Sequence, residues 1–202
     1  MKKLILLPFL FIYLNGFSQK NLESGKEYAR LGDYAYALEY FAKALIDNPN
    51  DINVYLERAK AYDMMNKQKD AYDDLESALA LQPKNEDVYF LRIKIAVKNK
   101  EFDKALTDIA TIMKNNPQAT ELYAQLVDIK LQKGDKVGAM QDRIKEFTAD
   151  EIQVFTEVNK GVQQYLGNNF DQACETWSNV RGPAKSQAEY FIKTFCPQKP
   201  TE

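Results

Sequence analysis

The chain has 202 residues, of which 45 % are hydrophobic and 28 % are charged, an ordinary composition for a soluble folded protein. Its formal net charge of -2 argues against a general nucleic-acid binder, because nucleic-acid-binding domains are usually basic. The sequence has no histidine and 2 cysteines, which removes the commonest general base and excludes a four-thiolate zinc site. We therefore expect no metal site, no cofactor and no nucleic-acid partner.

Residues 1–18 are typical of an export signal. Lys2 and Lys3 precede the apolar stretch Leu4–Leu14, and small residues then lead to an expected cut between Ser18 and Gln19. The stretch is shorter than the roughly 20 residues that span a bilayer. The expectation is an exported chain, periplasmic or secreted, with no membrane span after signal removal. The alternative is a segment that stays in place as an anchor or a buried helix.

A 34-residue repeat organises the rest of the chain. Alanines recur in one column at this spacing, at Ala37, Ala71, Ala105, Ala139 and Ala173. Within each unit apolar residues recur three and four positions apart, which predicts a pair of amphipathic helices. We expect the small column to lie where the two helices of a pair approach each other closely.

Turn residues divide each unit into its two helices. They are Gly32–Asp33, Asn66–Lys67, Gly134–Asp135 and Gly167–Asn168, and Pro49, Pro83 and Pro117 follow the second helices of the first three units. The predicted helices cover 19–31, 34–47, 52–65, 68–81, 86–99, 102–115, 120–133, 136–147, 149–166 and 169–181, with a last helix near 184–196.

The column residues follow a known spacing in the first two units. The runs are Gly25, Tyr28, Ala37, Phe41, Ala44 and Pro49, then Tyr55, Ala59, Tyr62, Ala71, Leu75, Ala78 and Pro83. This pattern resembles the tetratricopeptide repeat family over about residues 18–183. The fourth unit departs from it, because Lys130, Arg143 and Glu146 stand in columns that are usually apolar.

The resemblance implies an all-α fold, a right-handed superhelical solenoid of antiparallel helix pairs with about five repeats and a C-terminal capping helix. The expected organisation is a signal peptide over 1–18, a repeat domain over 19–183, and a capping helix with a short tail over 184–202. A cap is needed because one helix pair cannot bury its own apolar face.

The resemblance also implies that the first helix of each unit lines a concave groove. The outward columns carry an apolar row and a basic row: Leu22, Leu56 and Phe90, then Lys26, Lys60 and Lys94, with Arg30 and Lys98 one turn later. This groove suits an extended acidic segment of another protein. The family's carboxylate clamp for chaperone tails needs asparagines that the matching columns lack. The alternative is an ordinary solvated face.

Two features near the C-terminus leave alternatives open. The first helix of the fifth unit is apolar on several sides, which fits either a hydrophobic binding surface or burial in the core. Its apolar residues are Phe155, Val158, Val162, Tyr165 and Leu166.

Cys174 and Cys196 lie on helices that should be adjacent. They form either a disulfide, worth roughly 3 kcal/mol for such a loop, or two separate thiols.

No catalytic constellation is evident. Carboxylates such as Asp73, Asp74, Glu86 and Asp87 are expected on exposed helix faces or helix starts. We therefore expect a non-enzymatic adaptor or scaffold of a bacterial-type cell envelope, which binds a partner peptide or helix in its concave groove. The alternative is a fixed structural subunit of an envelope or secretion assembly.

Overall fold

The computed structural model describes residues 6–119, 121–145 and 156–197, and the regular elements there are all helical. In chain order they are α1 (Leu6–Arg30), α2 (Tyr34–Asp47), α3 (Ile52–Met64), α4 (Gln68–Leu81), α5 (Glu86–Lys98), α6 (Phe102–Asn115), α7 (Leu122–Lys133), α8 (Lys136–Lys145), α9 (Thr156–Leu166), α10 (Phe170–Ser178) and α11 (Lys185–Phe195), with a 3-10 turn at Gly182–Ala184 before α11. The all-α repeat predicted from the sequence is confirmed.

Most helix bounds agree with the predicted ones to within a few residues, and the main difference concerns α1. This helix begins at Leu6 rather than at residue 19, with Pro8 in its first turn, where proline is tolerated. The predicted helix 149–166 starts outside the described residues, and α9 is its described part. Phe155 and Glu146 also lie outside the described residues.

The chain divides into two units, Met1–Asn115 and Asn116–Glu202. In the first unit α1 pairs with α2, α3 with α4, and α5 with α6. In the second unit α7 pairs with α8 and α9 with α10, while α11 packs on α10. Each pair is one of the predicted 34-residue repeats, so the repeat period determines which helices meet.

A left-handed residue ends the first helix of each pair. The positive φ angles fall at one repeated position, with values of 82° at Gly32, 56° at Asn66, 60° at Lys100, 90° at Gly134 and 64° at Asn168. The left-handed conformation lets the chain reverse in two residues before the second helix. Glycine or asparagine fills four of these positions, as the sequence predicted, and Lys100 is the exception.

The alanine column lies where the paired helices touch, as the sequence predicted. All five alanines are 0 % exposed. Gly25 plays a similar part, because a Cβ atom there would approach the Phe41 ring to 2.5 Å. Gly161 lies four repeats later and faces the Trp177 ring in the same way. Small residues in these columns therefore permit the close approach of the helices.

The second unit has an aromatic core that α11 closes. Trp177, Tyr165, Phe191 and Phe195 are buried together, and the rings of Trp177 and Phe191 stack with their centroids 5.1 Å apart. A disulfide joins Cys174 in α10 to Cys196 at the end of α11, with Cα atoms 5.9 Å apart. Of the two alternatives that the sequence left open for the cysteines, the structure has the bridge.

The apolar residues of α9 belong to this core. Val158, Val162 and Tyr165 are each 2 % exposed or less, and Leu166 packs against the same cluster. The Trp177 indole N–H donates to the Val158 carbonyl at 3.0 Å, which fixes α10 against α9. The structure therefore has the burial alternative for these side chains, and they form no exposed binding surface.

Candidate protein-binding surface

The first helices of the first unit, α1, α3 and α5, contact one another in order. The ion pair between Lys98 Nζ in α5 and Asp63 Oδ1 in α3, at 2.9 Å, crosses from one repeat to the next. We use the name first-helix surface for the side chains that these helices expose together: Lys26, Arg30, Leu56, Lys60, Phe90, Lys94 and Lys98. Seven of the eight predicted groove residues are therefore at least partly exposed on these three helices.

Leu22, the eighth predicted groove residue, does not belong to this surface. Its side chain is 2 % exposed and lies in the core cluster that also contains Val54 and Ala61 of α3. The sequence predicted an outward-facing Leu22 because it shares a repeat position with Leu56 and Phe90. In the structure, packing against the next repeat buries its side chain. Leu56 and Phe90 are half-buried. The expected apolar row is therefore present only in the second and third repeats.

The expected basic row is largely a row of ion pairs. Lys26 Nζ lies 3.0 Å from Glu23 Oε1, and Lys60 Nζ lies 2.9 Å from Glu57 Oε1. Each carboxylate is three residues before its lysine on the same helix, where side chains meet. Arg30 pairs with Glu27 in the same way at 2.7 Å, and this hydrogen bond lowers the pKa of the Glu27 carboxyl. Most of the positive charge is thus locally balanced.

Lys94 differs from the other lysines of its column. The position three residues earlier is Leu91, where the first two repeats have glutamate. Lys94 is exposed, and within residues 6–119, 121–145 and 156–197 no carboxylate is found in an ion pair with its ammonium group. The first-helix surface therefore presents one uncompensated positive charge beside half-buried Phe90.

Buried ion pairs inside the repeats are a feature that sequence reasoning missed. Arg58 binds both carboxylate oxygens of Asp74, at 2.8 and 2.6 Å, and Arg92 binds Asp108 in the same way, at 2.8 and 2.5 Å. Hydrogen bonding to Asp74 raises the pKa of Arg58 above its ordinary value. Asp74 is 5 % exposed, so the expectation of an exposed carboxylate was wrong there. Its partner on the first helix compensates the charge.

The fourth repeat keeps a version of this pair. Lys130 Nζ lies 2.6 Å from Asp142 Oδ2, and Asp142 is 4 % exposed. Lys130, which seemed out of place in an apolar column, is therefore the partner of a buried acid. A signal was present in the sequence, because Asp74, Asp108 and Asp142 are one repeat apart, as are Arg58 and Arg92.

Within the ranges that the structure describes, no group of three or more cysteine or acidic side chains is placed to hold a metal ion. In the same ranges no helix combines the length and the apolar character needed to cross a membrane. The residues that define the first-helix surface carry ammonium, guanidinium and apolar groups.

The family model described as Tetratricopeptide repeat matches residues 67–128. Among curated proteins, DnaJ homolog subfamily C member 3 of Bos taurus is 27 % identical over 186 residues, which are 92 % of this chain and 34 % of that protein. The chain therefore spans about a third of the length of this relative.

Solved structures of low identity share the fold. MamA protein superposes with a TM-score of 0.58 and 17 % identity, over 91 % of this chain and 98 % of that one. The first TPR of Spaghetti (RPAP3), bound to an HSP90 peptide, gives a TM-score of 0.52 and 22 % identity, over 59 % of this chain and 95 % of that one. At these identities the likeness concerns the helical repeat fold.

Proposed function

Because the chain is a tetratricopeptide repeat protein, we propose that it is a non-enzymatic adaptor that binds an extended segment of another protein on the first-helix surface. Repeat folds of this kind expose long surfaces built from successive units, which suits extended partners. The observation that carries the proposal is Lys94, an exposed ammonium group without a carboxylate partner in the described residues, next to half-buried Phe90.

The partner segment is acidic and carries an apolar side chain. A carboxylate would pair with Lys94, and an apolar group would bury surface against Phe90 and Leu56. The structure of the first TPR of Spaghetti supports this class of ligand, because that protein is bound to the HSP90 peptide SRMEEVD, which contains three acidic residues and a valine. The columns here lack the asparagines of the chaperone-tail clamp, so the proposal names an acidic segment and no particular chaperone.

A peptide-binding measurement tests this function. The probe is a fluorescein-labelled SRMEEVD peptide, compared with a version in which both glutamates are glutamine. We expect Lys94→Ala to weaken binding of the acidic probe about two- to fivefold, the range of one exposed ion pair. The control is Lys114→Ala, which removes an exposed lysine from the second helix α6. Equal affinities for both variants, or for both peptides, would contradict the proposal.

We further propose that the chain is exported and works in a bacterial-type cell envelope. Its support is the charged and apolar start, Lys2, Lys3 and Leu4–Leu14, together with the disulfide between Cys174 and Cys196. N-terminal sequencing of the native protein tests this, with Gln19 expected as the first residue. A native chain that starts at Met1 in a reducing compartment would refute it.

The alternative of a fixed subunit in an envelope assembly receives less support. A broad apolar surface in the fourth and fifth repeats would favour this alternative, but Val158, Val162 and Tyr165 are buried. In the described part of the second unit, Phe170 is the large apolar side chain left exposed, at 40 %. A single exposed ring is too small for a permanent interface, which is typically large and hydrophobic.

A further inference from the structure

A cavity of about 660 Å³ opens in the first unit between the second helices α4 and α6. None of the residues that form the first-helix surface lines it, so it is a separate place on the molecule. The volume lies within the range of roughly 300–1,000 Å³ that is usual for ligand sites. We use the name second-helix cavity for this site.

The floor and one wall of the second-helix cavity are fixed by hydrogen bonds. Arg92 and the nearly buried Asp108 form the bidentate pair at the floor. The Tyr72 hydroxyl donates to Glu101 Oε2 at 2.6 Å and ties α4 to the residue that directly precedes α6. Burial and this hydrogen bond raise the pKa of Tyr72, so its phenol stays protonated and keeps donating. The walls are therefore held in place before a ligand arrives.

The lining has an excess of negative charge. Five acids and three bases line the cavity, a balance of -2: Asp73, Glu76, Glu101, Asp103 and Asp108 against Lys69, Arg92 and Lys104. Both lysine side chains are more than half exposed in their ion pairs, at 86 % for Lys69 and 58 % for Lys104. Exposed pairs of this kind are weak and exchange easily with another cation.

The cavity already holds an alkylammonium group of the chain itself. Lys104 Nζ lies 4.6 Å from the centroid of the Tyr72 ring and 2.9 Å from Glu101 Oε1. A ring face together with a carboxylate is a recurrent binding arrangement for ammonium and guanidinium groups. Lys104 is one of the three bases counted above, and its position shows that the ring face and the carboxylate together accommodate an alkylammonium group.

The second-helix cavity is particular to this junction between repeats. One repeat earlier, the position of Tyr72 is Leu38, that of Glu76 is Ala42 and that of Glu101 is Lys67. The aromatic wall and two of the acids are therefore properties of this sequence at one place, because the repeat fold by itself does not require them.

We propose that the second-helix cavity binds a lysine or arginine side chain presented by a basic segment of a protein partner. The side chain enters between α4 and α6, and its charge is compensated by the acid excess, with Glu76 and Asp73 on the α4 side. A basic segment here and an acidic segment on the first-helix surface would bind at different places. This inference does not depend on the proposed function.

Binding of a basic peptide tests the inference. The probe is a fluorescein-labelled nonapeptide of alternating lysine and serine, titrated at low salt and followed by fluorescence anisotropy. We expect Glu76→Lys to weaken binding at least about tenfold and Glu76→Gln about two- to fivefold. Thr107→Lys, which places a cation in the cavity from the α6 side, gives a second variant with the same expected direction.

The matched control is Glu39→Lys, which makes the same charge change on an exposed part of the second helix α2, outside the cavity lining. It should change the affinity less than twofold, and so should Lys94→Ala. Equal losses of peptide affinity in Glu76→Lys and Glu39→Lys would show that only the net charge of the protein matters, and would overturn the inference. An unchanged affinity in Glu76→Lys would overturn it too.

Discussion

Replacing Lys100 by asparagine should stabilise the first unit. Lys100 has a φ angle of 60° at the turn between α5 and α6, whereas Asn66 and Asn168 fill the same repeated position with φ angles of 56° and 64°. The left-handed conformation brings the Cβ atom of most residues close to the carbonyl oxygen, which costs roughly 1–2 kcal/mol. Asparagine tolerates this conformation because its short polar side chain bonds locally.

The magnitude follows from what the substitution leaves unchanged. Lys100 is exposed, and the turn's backbone bonds, Lys100 N to Val97 O at 3.0 Å and Glu101 N to Ala96 O at 2.8 Å, involve no side-chain atom. Asparagine should therefore recover part of the backbone cost, about 0.5–1 kcal/mol, and lose no contact. Glycine at this position would relieve the strain as well. It should stabilise the protein less than asparagine, because glycine raises the conformational entropy of the unfolded chain.

Urea unfolding followed by far-ultraviolet circular dichroism measures the effect. Lys100→Ala keeps the Cβ atom and should bring no gain, which separates backbone relief from the loss of charge. Asn66→Lys makes the reverse change one repeat earlier and should destabilise by a similar amount. A Lys100→Asn variant that is no more stable than Lys100→Ala would refute the reasoning.

Two further predictions concern packing and the disulfide. Ala71→Leu should lower the free energy of unfolding by about 1–3 kcal/mol, because Ala71 is 0 % exposed between α3 and α4, whereas Ala80→Leu on the exposed side of α4 should have little effect. Equal urea midpoints for these two variants would contradict the predicted helix contact. Replacing Cys174 and Cys196 together by serine should cost about 3 kcal/mol in the second unit, since the bridge spans 22 positions of sequence. Fluorescence of the single, buried Trp177 reports this unfolding, and dithiothreitol should shift the wild-type midpoint and leave the variant's unchanged.

The fold could be predicted from the sequence because its signals are local and repeated. The helices α2, α4 and α6 have the bounds that the apolar period and turn residues indicated, 34–47, 68–81 and 102–115. The turn at Lys100 gave no glycine or asparagine signal, and its conformation follows from the neighbouring repeats. The upstream extension of α1 was missed because the expected cut, and not the helical pattern, set its predicted start.

The candidate surface was predicted less completely because its chemistry depends on pairs. A column of identical lysines at Lys26, Lys60 and Lys94 indicates a shared face, but not which charges are compensated. That depends on the residue three positions earlier, glutamate in two repeats and Leu91 in the third. The burial of Leu22 depends on contact with α3 of the next repeat, which no local pattern records.

The same pairing predicts how to create a second uncompensated lysine. Lys60 is about half exposed, and its ammonium group lies 2.9 Å from the Glu57 carboxylate. Glu57→Gln removes this carboxylate and leaves Lys60 in the situation of Lys94, at a cost to the helix of only about 0.2–0.5 kcal/mol. The acidic SRMEEVD probe should then bind about two- to fivefold more tightly by fluorescence anisotropy. The gain should vanish in a Glu57→Gln, Lys60→Ala double variant, measured against Lys60→Ala alone. If the gain persists without Lys60, the altered net charge of the surface explains it, and the pairing of individual lysines does not control binding.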